Sequence, residues 1–138
     1  MQIIYADDEP GTLTEVCTFL QQHGHRAEAV STTNILDFQK EVNAALQHGF
    51  SPDAIVIGGH NVLRNGEGEA LFDIDAFVIT NWLEKIKVPE KCLVLLYSRD
   101  ASLVERALQH KEWGFDAAIV KGRSDSLSSL LQSIETKN

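Results

Sequence analysis

The chain has 138 residues, 43% of them hydrophobic, and a formal net charge of −8. This length fits one domain with a full core and leaves no room for a second domain. The negative charge argues against direct binding of nucleic acid, which needs clustered lysine and arginine, and no apolar run is long enough to predict a membrane span.

Hydrophobic periodicity alternates five times between strand-like and helix-like along the chain. The pattern predicts five strands, at 3–6, 27–30, 54–57, 92–97 and 117–120. A helix follows each strand: from Pro10 to Gly24, from a cap at Thr33 or Asn34 to Gly49, around 77–86, at 103–108, and from Ser124 or Asp125 through Ile134. This alternation predicts a single α/β domain over residues 1–138, with helices on both faces of a parallel sheet. Ligands bind such sheets at the carboxyl ends of the strands.

Four segments resemble the receiver domain of two-component response regulators, and each lies on the matching element. They are Tyr5-Ala6-Asp7-Asp8-Glu9-Pro10, Phe19-Leu20-Gln21-Gln22-His23-Gly24-His25, Pro52-Asp53-Ala54-Ile55-Val56-Ile57 and Gly114-Phe115-Asp116-Ala117-Ala118-Ile119-Val120-Lys121. The resemblance covers nearly the whole chain. It implies a three-layer, flavodoxin-like fold with five parallel strands in the order 2-1-3-4-5 and a cytoplasmic role in phosphorelay signal transduction.

In that family, two acidic residues after the first strand help to hold Mg²⁺, and an aspartate at the end of the third strand accepts the phosphoryl group. A serine or threonine after the fourth strand and a lysine after the fifth complete the site. The resemblance places these positions on Asp7, Asp8, Gly58, Tyr97 with its neighbour Ser98, and Lys121. Because glycine has no nucleophile, the resemblance implies a pseudo-receiver without its phosphoacceptor.

The remaining charged residues of the site allow two interpretations. Asp7 and Asp8 could retain weak Mg²⁺ binding, or they could be acidic residues favoured before a helix N-terminus. No cofactor is otherwise expected. Lys121 is predicted to form a structural ion pair with Asp7 or Asp8 in place of a catalytic role.

Two further features of the sequence depart from the family. Tyr97 and Ala118 stand where the family has a small hydroxyl residue and an aromatic residue, so the two sizes look exchanged. Tyr97 would then fill space near the absent carboxylate, although simple core packing explains the pair as well.

Residues 58–75 are predicted to form an extended loop, which is either a lid or partner-recognition element or a surface insertion.

The sequence therefore predicts a non-enzymatic signalling module that binds a protein partner without phosphorylation. The partner would be a histidine kinase, an output domain or a second copy in a homodimer. The expected interaction face, on the fourth helix, fifth strand and fifth helix of the family, carries Glu105, Gln109, Trp113, Ala118, Arg123 and Asp125.

Two alternatives come from other functional classes. One is a small-molecule sensor that uses the space left by the missing carboxylate. The other is a Mg²⁺-dependent phosphotransfer enzyme of the haloacid dehalogenase type. That enzyme class needs the motif Asp-x-Asp, whereas this chain has Asp7-Asp8-Glu9.

Overall fold

A computed structural model describes residues 1–32, 34–58 and 92–137 of the chain. Its five strands are β1 (Gln2–Asp7), β2 (Arg26–Ser31), β3 (Ala54–Gly58), β4 (Leu93–Ser98) and β5 (Ala117–Val120). They form one parallel sheet in the order β2-β1-β3-β4-β5. The predicted fold class and strand order are confirmed.

Four helices are described: α1 (Pro10–Gln22), α2 (Ile35–Gln47), α3 (Ala101–Gln109) and α4 (Ser126–Lys137). Asn34 caps α2, because its side chain accepts a hydrogen bond from the Asp37 backbone N–H at 2.9 Å. Asp100 caps α3 in the same way. The predicted helix around 77–86, and the predicted loop at 58–75 apart from Gly58, lie outside the described residues.

Side chains alternate between the two faces of the sheet and build a core on each. On one face Ile3, Tyr5 and Val56 pack against α1 and α4. On the other face the strands pack against α2 and α3, with Phe38 and Val42 fully buried. The helix predicted at 103–108 lies within α3; its buried residues are Leu103, Val104 and Ala107, whereas 57% of Leu108 is exposed.

The alternation also decides which side chains meet at the carboxyl ends of the strands. Tyr5, Asp7 and Tyr97 point to the α1 and α4 face, and Lys121 follows β5 on the same side. In the register of the sheet Tyr5 pairs with Val56, two residues before Gly58. No helix among those described is long and apolar enough to cross a membrane.

Candidate functional site

The centre of the candidate site is the carboxylate of Asp7, which is completely buried at the end of β1. Its Oδ2 accepts hydrogen bonds from the Tyr5 hydroxyl at 2.5 Å and from Lys121 Nζ at 2.9 Å. Its Oδ1 accepts from the backbone N–H groups of Asp8 at 2.7 Å and Glu9 at 3.1 Å. A carboxylate offers about four lone-pair positions, so all of its acceptor capacity is used.

Lys121 is buried with its partner, with 5% of the residue exposed. The predicted ion pair therefore forms with Asp7, between residues at the ends of β1 and β5. A buried pair of this kind depends on both members, because either charge alone would remain desolvated.

Gly58 lies at the end of β3, where a side chain would enter this same cluster. A Cβ built on Gly58 would lie 2.4 Å from the Tyr5 hydroxyl oxygen and 2.6 Å from Asp7 Oδ2. Both separations are far inside van der Waals contact. The space beside Gly58 is therefore filled by the Tyr5 hydroxyl and the Asp7 carboxylate, and any larger residue at this position would force those side chains to move.

The protonation states follow from burial and hydrogen bonding. Burial, reinforced by the hydrogen bond to Asp7, raises the pKa of Tyr5 far above its usual value, so the phenol stays a donor. Burial alone would raise the pKa of Asp7, but the hydrogen bonds from Tyr5 and Lys121 outweigh it and hold that pKa below its usual range. The cluster is thus a neutral phenol, a carboxylate and an ammonium group.

No family model matches the sequence, and no curated protein matches it. Solved structures do match. Response regulator protein TrrA from Thermotoga maritima, in complex with Mg²⁺-BeF, gives a TM-score of 0.65 at 14% identity, over 99% of this chain and 98% of that chain. A response regulator receiver protein from Sinorhizobium medicae gives 0.63 at 17% identity, over 99% and 93%. An atypical orphan response regulator protein gives 0.64 at 17% identity, over 99% and 94%.

This chain has the receiver fold. At these identities the likeness establishes the fold alone.

The receiver fold implies a Mg²⁺ site, and the acidic residues here fit that ion poorly. Carboxylate oxygens of Asp7, Asp8 and Glu9 lie within 4.8 Å of one another. However, both Asp7 oxygens are already fully engaged, and Gly58 supplies no further carboxylate. Mg²⁺ demands near-octahedral oxygen coordination, so binding would first have to displace Lys121 or Tyr5.

Tyr97 and Ala118, the two residues whose sizes look exchanged in the sequence, lie on opposite faces of the sheet. Ala118 pairs with Leu96 and packs on the α2 and α3 face, whereas Tyr97 pairs with Gly58 and packs on the α1 and α4 face. The two side chains therefore do not share a volume. Tyr97 instead meets Tyr5 edge-on, with ring centroids 6.3 Å apart.

Ser98, the other candidate at the end of β4, is buried, and its hydroxyl accepts a hydrogen bond from the Asp100 backbone N–H at 3.1 Å. This bond supports the turn into α3. The structure gives Ser98 a local role in that turn.

The predicted interaction face is only partly exposed. Glu105 and Gln109 are exposed on α3, Arg123 and Asp125 are exposed before α4, and Ala118 is half-buried. Trp113 is 7% exposed, because its indole packs into the core beneath α3, so its place on the face was wrong.

Tyr5 is the residue of the site that sequence reasoning missed. Within an apolar run it looks like an ordinary strand residue. The available signal was the alternation of side chains along the strand, because it places Tyr5 and Asp7 on one face and a glycine ends the neighbouring strand.

Proposed function

We propose that this chain is a signalling domain with a receiver fold that binds a protein partner and is not regulated by phosphorylation. One observation carries the proposal. The place of a phosphoacceptor side chain is occupied by the Tyr5 hydroxyl and Asp7, and Lys121 is committed to Asp7 in an ion pair. Without an acceptor carboxylate or an open metal position, acyl-phosphate chemistry has no route here.

A solved structure with the same fold supports the proposal by analogy. The atypical orphan response regulator protein that matches this chain is described as revealing a new phosphorylation-independent regulatory mechanism. We extend to this chain only the idea that the receiver fold can signal through contacts alone.

The proposed contact surface lies on α3 and the start of α4. Leu108 is 57% exposed on α3, with Glu105 and Gln109 on the same side of the helix. Leu108 would supply the apolar centre of this contact, and Glu105 and Gln109 its polar rim. The partner is a histidine kinase, an output domain or a second copy of this chain.

The phosphorylation test uses acetyl phosphate and Mg²⁺, followed by intact mass measurement and hydroxylamine treatment. The wild-type chain is expected to gain no phosphoryl group. Gly58→Asp alone is also expected to stay unlabelled, because Tyr5 occupies the space that the new side chain needs.

The paired variant Tyr5→Val with Gly58→Asp is expected to gain a hydroxylamine-sensitive phosphoryl group. Rapid labelling of the wild-type chain at any aspartate would overturn the proposal. Labelling of Gly58→Asp alone would show that Tyr5 does not close the site.

Self-association is tested by sedimentation velocity over a range of concentrations. If the partner is a second copy, Leu108→Glu is expected to abolish the dimer. Leu36→Glu is the matched control, because Leu36 is equally exposed, at 56%, but lies on α2. A monomer at all concentrations would leave a kinase or an output domain as the partner.

The two alternatives receive less support from the geometry. A phosphotransfer enzyme needs a reachable carboxylate, and Asp7 is completely buried with all four acceptor positions used. A sensor that uses the space beside Gly58 is disfavoured by the Tyr5 hydroxyl that fills it. We therefore propose that the domain is not an enzyme and holds no Mg²⁺.

A further inference from the structure

A groove of about 350 Å³ opens beside the buried cluster, between α1, the end of β4 and the loop from β5 to α4. Its charged and hydroxyl-bearing lining includes Thr12, Glu15, Tyr97, Arg99, Lys121 and Arg123. The volume lies within the range of small-molecule sites. The groove shares Tyr97 and Lys121 with the site expected from the sequence, whereas Thr12, Glu15 and Arg99 were not predicted as site residues.

The charged residues that line the groove are mostly basic, whereas the chain as a whole is acidic. The groove gathers three basic residues against one acidic residue, Glu15, whereas the whole chain has 12 basic and 20 acidic residues. Lys121 is paired with Asp7, and Arg99 lies 3.7 Å from Glu9 in an exposed ion pair, so the attraction for an anion comes from Arg123 and from the guanidinium donors of Arg99 that face away from Glu9. Guanidinium groups bind phosphate and carboxylate through paired N–H donors.

Gly122 helps to position one of these arginines. It follows β5 with φ +93°, and a Cβ built on it would lie 3.1 Å from an Arg99 terminal nitrogen. The absent side chain thus lets the Arg99 guanidinium lie against the loop backbone. Arg99 also forms an exposed ion pair with Glu9, with Nε 3.7 Å from Glu9 Oε1, a separation longer than a hydrogen bond.

The Tyr97 hydroxyl lines this groove, with 2% of the residue exposed. Burial, with a smaller effect of the Glu15 charge, raises the pKa of Tyr97 to about 12, and a hydrogen bond with Ser126 acts in the opposite direction. The phenol therefore remains protonated at neutral pH and can donate. The hydroxyl of Thr12 adds a second neutral polar group to the lining.

We propose that this groove binds a small organic oxyanion, a phosphate monoester or a carboxylate, through Arg99, Arg123 and the Tyr97 hydroxyl. This binding goes beyond the proposed function and stands whether or not the domain is phosphorylated. A ligand in the groove would contact the loop from β5 to α4, which carries Arg123 and Asp125 of the interaction face predicted from the sequence. Ligand and partner binding are therefore adjacent on the molecule.

The test is an NMR titration of the full chain with ribose 5-phosphate, with gluconate as the carboxylate probe and ribose as the neutral control. We expect saturable shifts at the amides of residues 97–99 and 121–127, with a Kd below about 1 mM for at least one anion and none for ribose. Binding of both anions would assign the site to oxyanions in general, and binding of only one would show whether the site prefers a phosphate monoester or a carboxylate.

Three variants make the test specific. Arg99→Gln and Arg123→Gln are each expected to raise the Kd by about tenfold, which corresponds to one lost charged contact. Arg26→Gln is the matched control, because Arg26 lines a groove of similar volume, 370 Å³, on the far side of the sheet. The proposal is overturned if no saturable shift appears up to about 10 mM, if ribose binds equally, or if Arg26→Gln weakens binding as much as the other two.

Discussion

Two glycines at the carboxyl edge of the sheet make an instructive comparison. A Cβ on Gly58 would strike the Tyr5 hydroxyl and Asp7, which are both fully buried. A Cβ on Gly122 would press against the Arg99 guanidinium, which borders an open groove. Beside Gly58 the space is used by Tyr5 and Asp7 of β1, and beside Gly122 it is used by Arg99, which follows β4. Only the space beside Gly58 is closed to solvent.

The difference shows two ways in which the space beside a glycine is used. Beside Gly58 the Asp7 carboxylate accepts hydrogen bonds from the Tyr5 phenol and from Lys121, and together they form a buried structural cluster. At Gly122 the cation remains near solvent, where a ligand can reach it. A glycine at this edge of the sheet thus does not by itself predict an empty pocket, and the proposed binding groove lies beside Gly122.

The largest expected effect tests the closed side of this comparison. Lys121→Met keeps most of the side-chain volume but leaves the Asp7 carboxylate buried without its cation. Removal of one partner of a buried pair lowers the free energy of unfolding by about 3–5 kcal/mol. Urea denaturation followed by circular dichroism measures the change.

Lys111→Met is the control for that measurement, because Lys111 is exposed. We expect it to change the free energy of unfolding by less than about 0.5 kcal/mol. A Lys121→Met variant as stable as the control would mean that the ion pair contributes nothing to the fold.

The next effect tests whether the space beside Gly58 is full. Gly58→Ala places a methyl group against the Tyr5 hydroxyl oxygen, which overpacks the cluster and destabilises the protein by about 1–3 kcal/mol. In the Tyr5→Val background the same change is expected to cost less, because the phenol is gone. The double-mutant cycle from urea denaturation gives the coupling between the two residues.

Gly11→Ala is the matched control for the substitution itself. Gly11 lies in α1, and a Cβ there would have no atom within 4 Å. Alanine in a helix is neutral to stabilising by up to about 1 kcal/mol relative to glycine. Equal losses at Gly58 and Gly11 would contradict the packing argument.

The fold was predictable from the sequence because it depends on local patterns that repeat. Five apolar runs, each followed by an amphipathic segment, define the βα units, and Asn34 and Gly49 mark the limits of α2 as their chemistry requires. Asp7 and Lys121 were also predictable as a pair, since residues that follow β1 and β5 meet at one edge of a parallel sheet.

The contents of the site were less predictable because they depend on register and on size. Tyr97 and Ala118 look like an exchanged pair when the sequence is read along the chain, but strand parity sends them to opposite faces. Tyr5 was missed because its hydroxyl reaches forward along the strand to Asp7, which no periodicity indicates. The position of Arg99 over Gly122 depends likewise on a turn that composition alone does not specify.

The absorbance of tyrosine phenolate, followed as the pH rises, tests whether the cluster around Tyr5 is closed to solvent. The chain has two tyrosines, Tyr5 and Tyr97, and burial raises the pKa of both. Folding therefore favours the protonated phenols, and this stabilisation is complete below the ordinary tyrosine pKa of about 10 and is lost as the pH rises above it. We expect no phenolate absorbance at 295 nm near pH 10 in the folded chain, and a falling free energy of unfolding above that pH.

The Tyr97→Phe variant isolates Tyr5 in that titration. Its absorbance is expected to rise only when the protein unfolds, because Tyr5 is completely buried and donates to Asp7. Phenolate formation near pH 10 in the folded variant would show that the cluster is open to solvent.

The same Tyr97→Phe change gives the smallest expected effect on stability and sharpens the comparison most. The ring stays in its edge-on contact with Tyr5, and only a hydroxyl beside the open groove is removed. The free energy of unfolding should fall by no more than about 1 kcal/mol, the net value of one ordinary hydrogen bond. The affinity for ribose 5-phosphate should fall severalfold, because that hydroxyl is a proposed donor to the ligand.

Tyr5→Phe is the counterpart, since it removes a hydroxyl bonded to a buried charge, and it should lower the free energy of unfolding by about 1.5–3 kcal/mol. Urea denaturation and the NMR titration, applied to both variants, separate a hydroxyl that stabilises the fold from one that serves a ligand. Equal stability losses in the two variants would contradict the division of this edge into a closed cluster and an open groove.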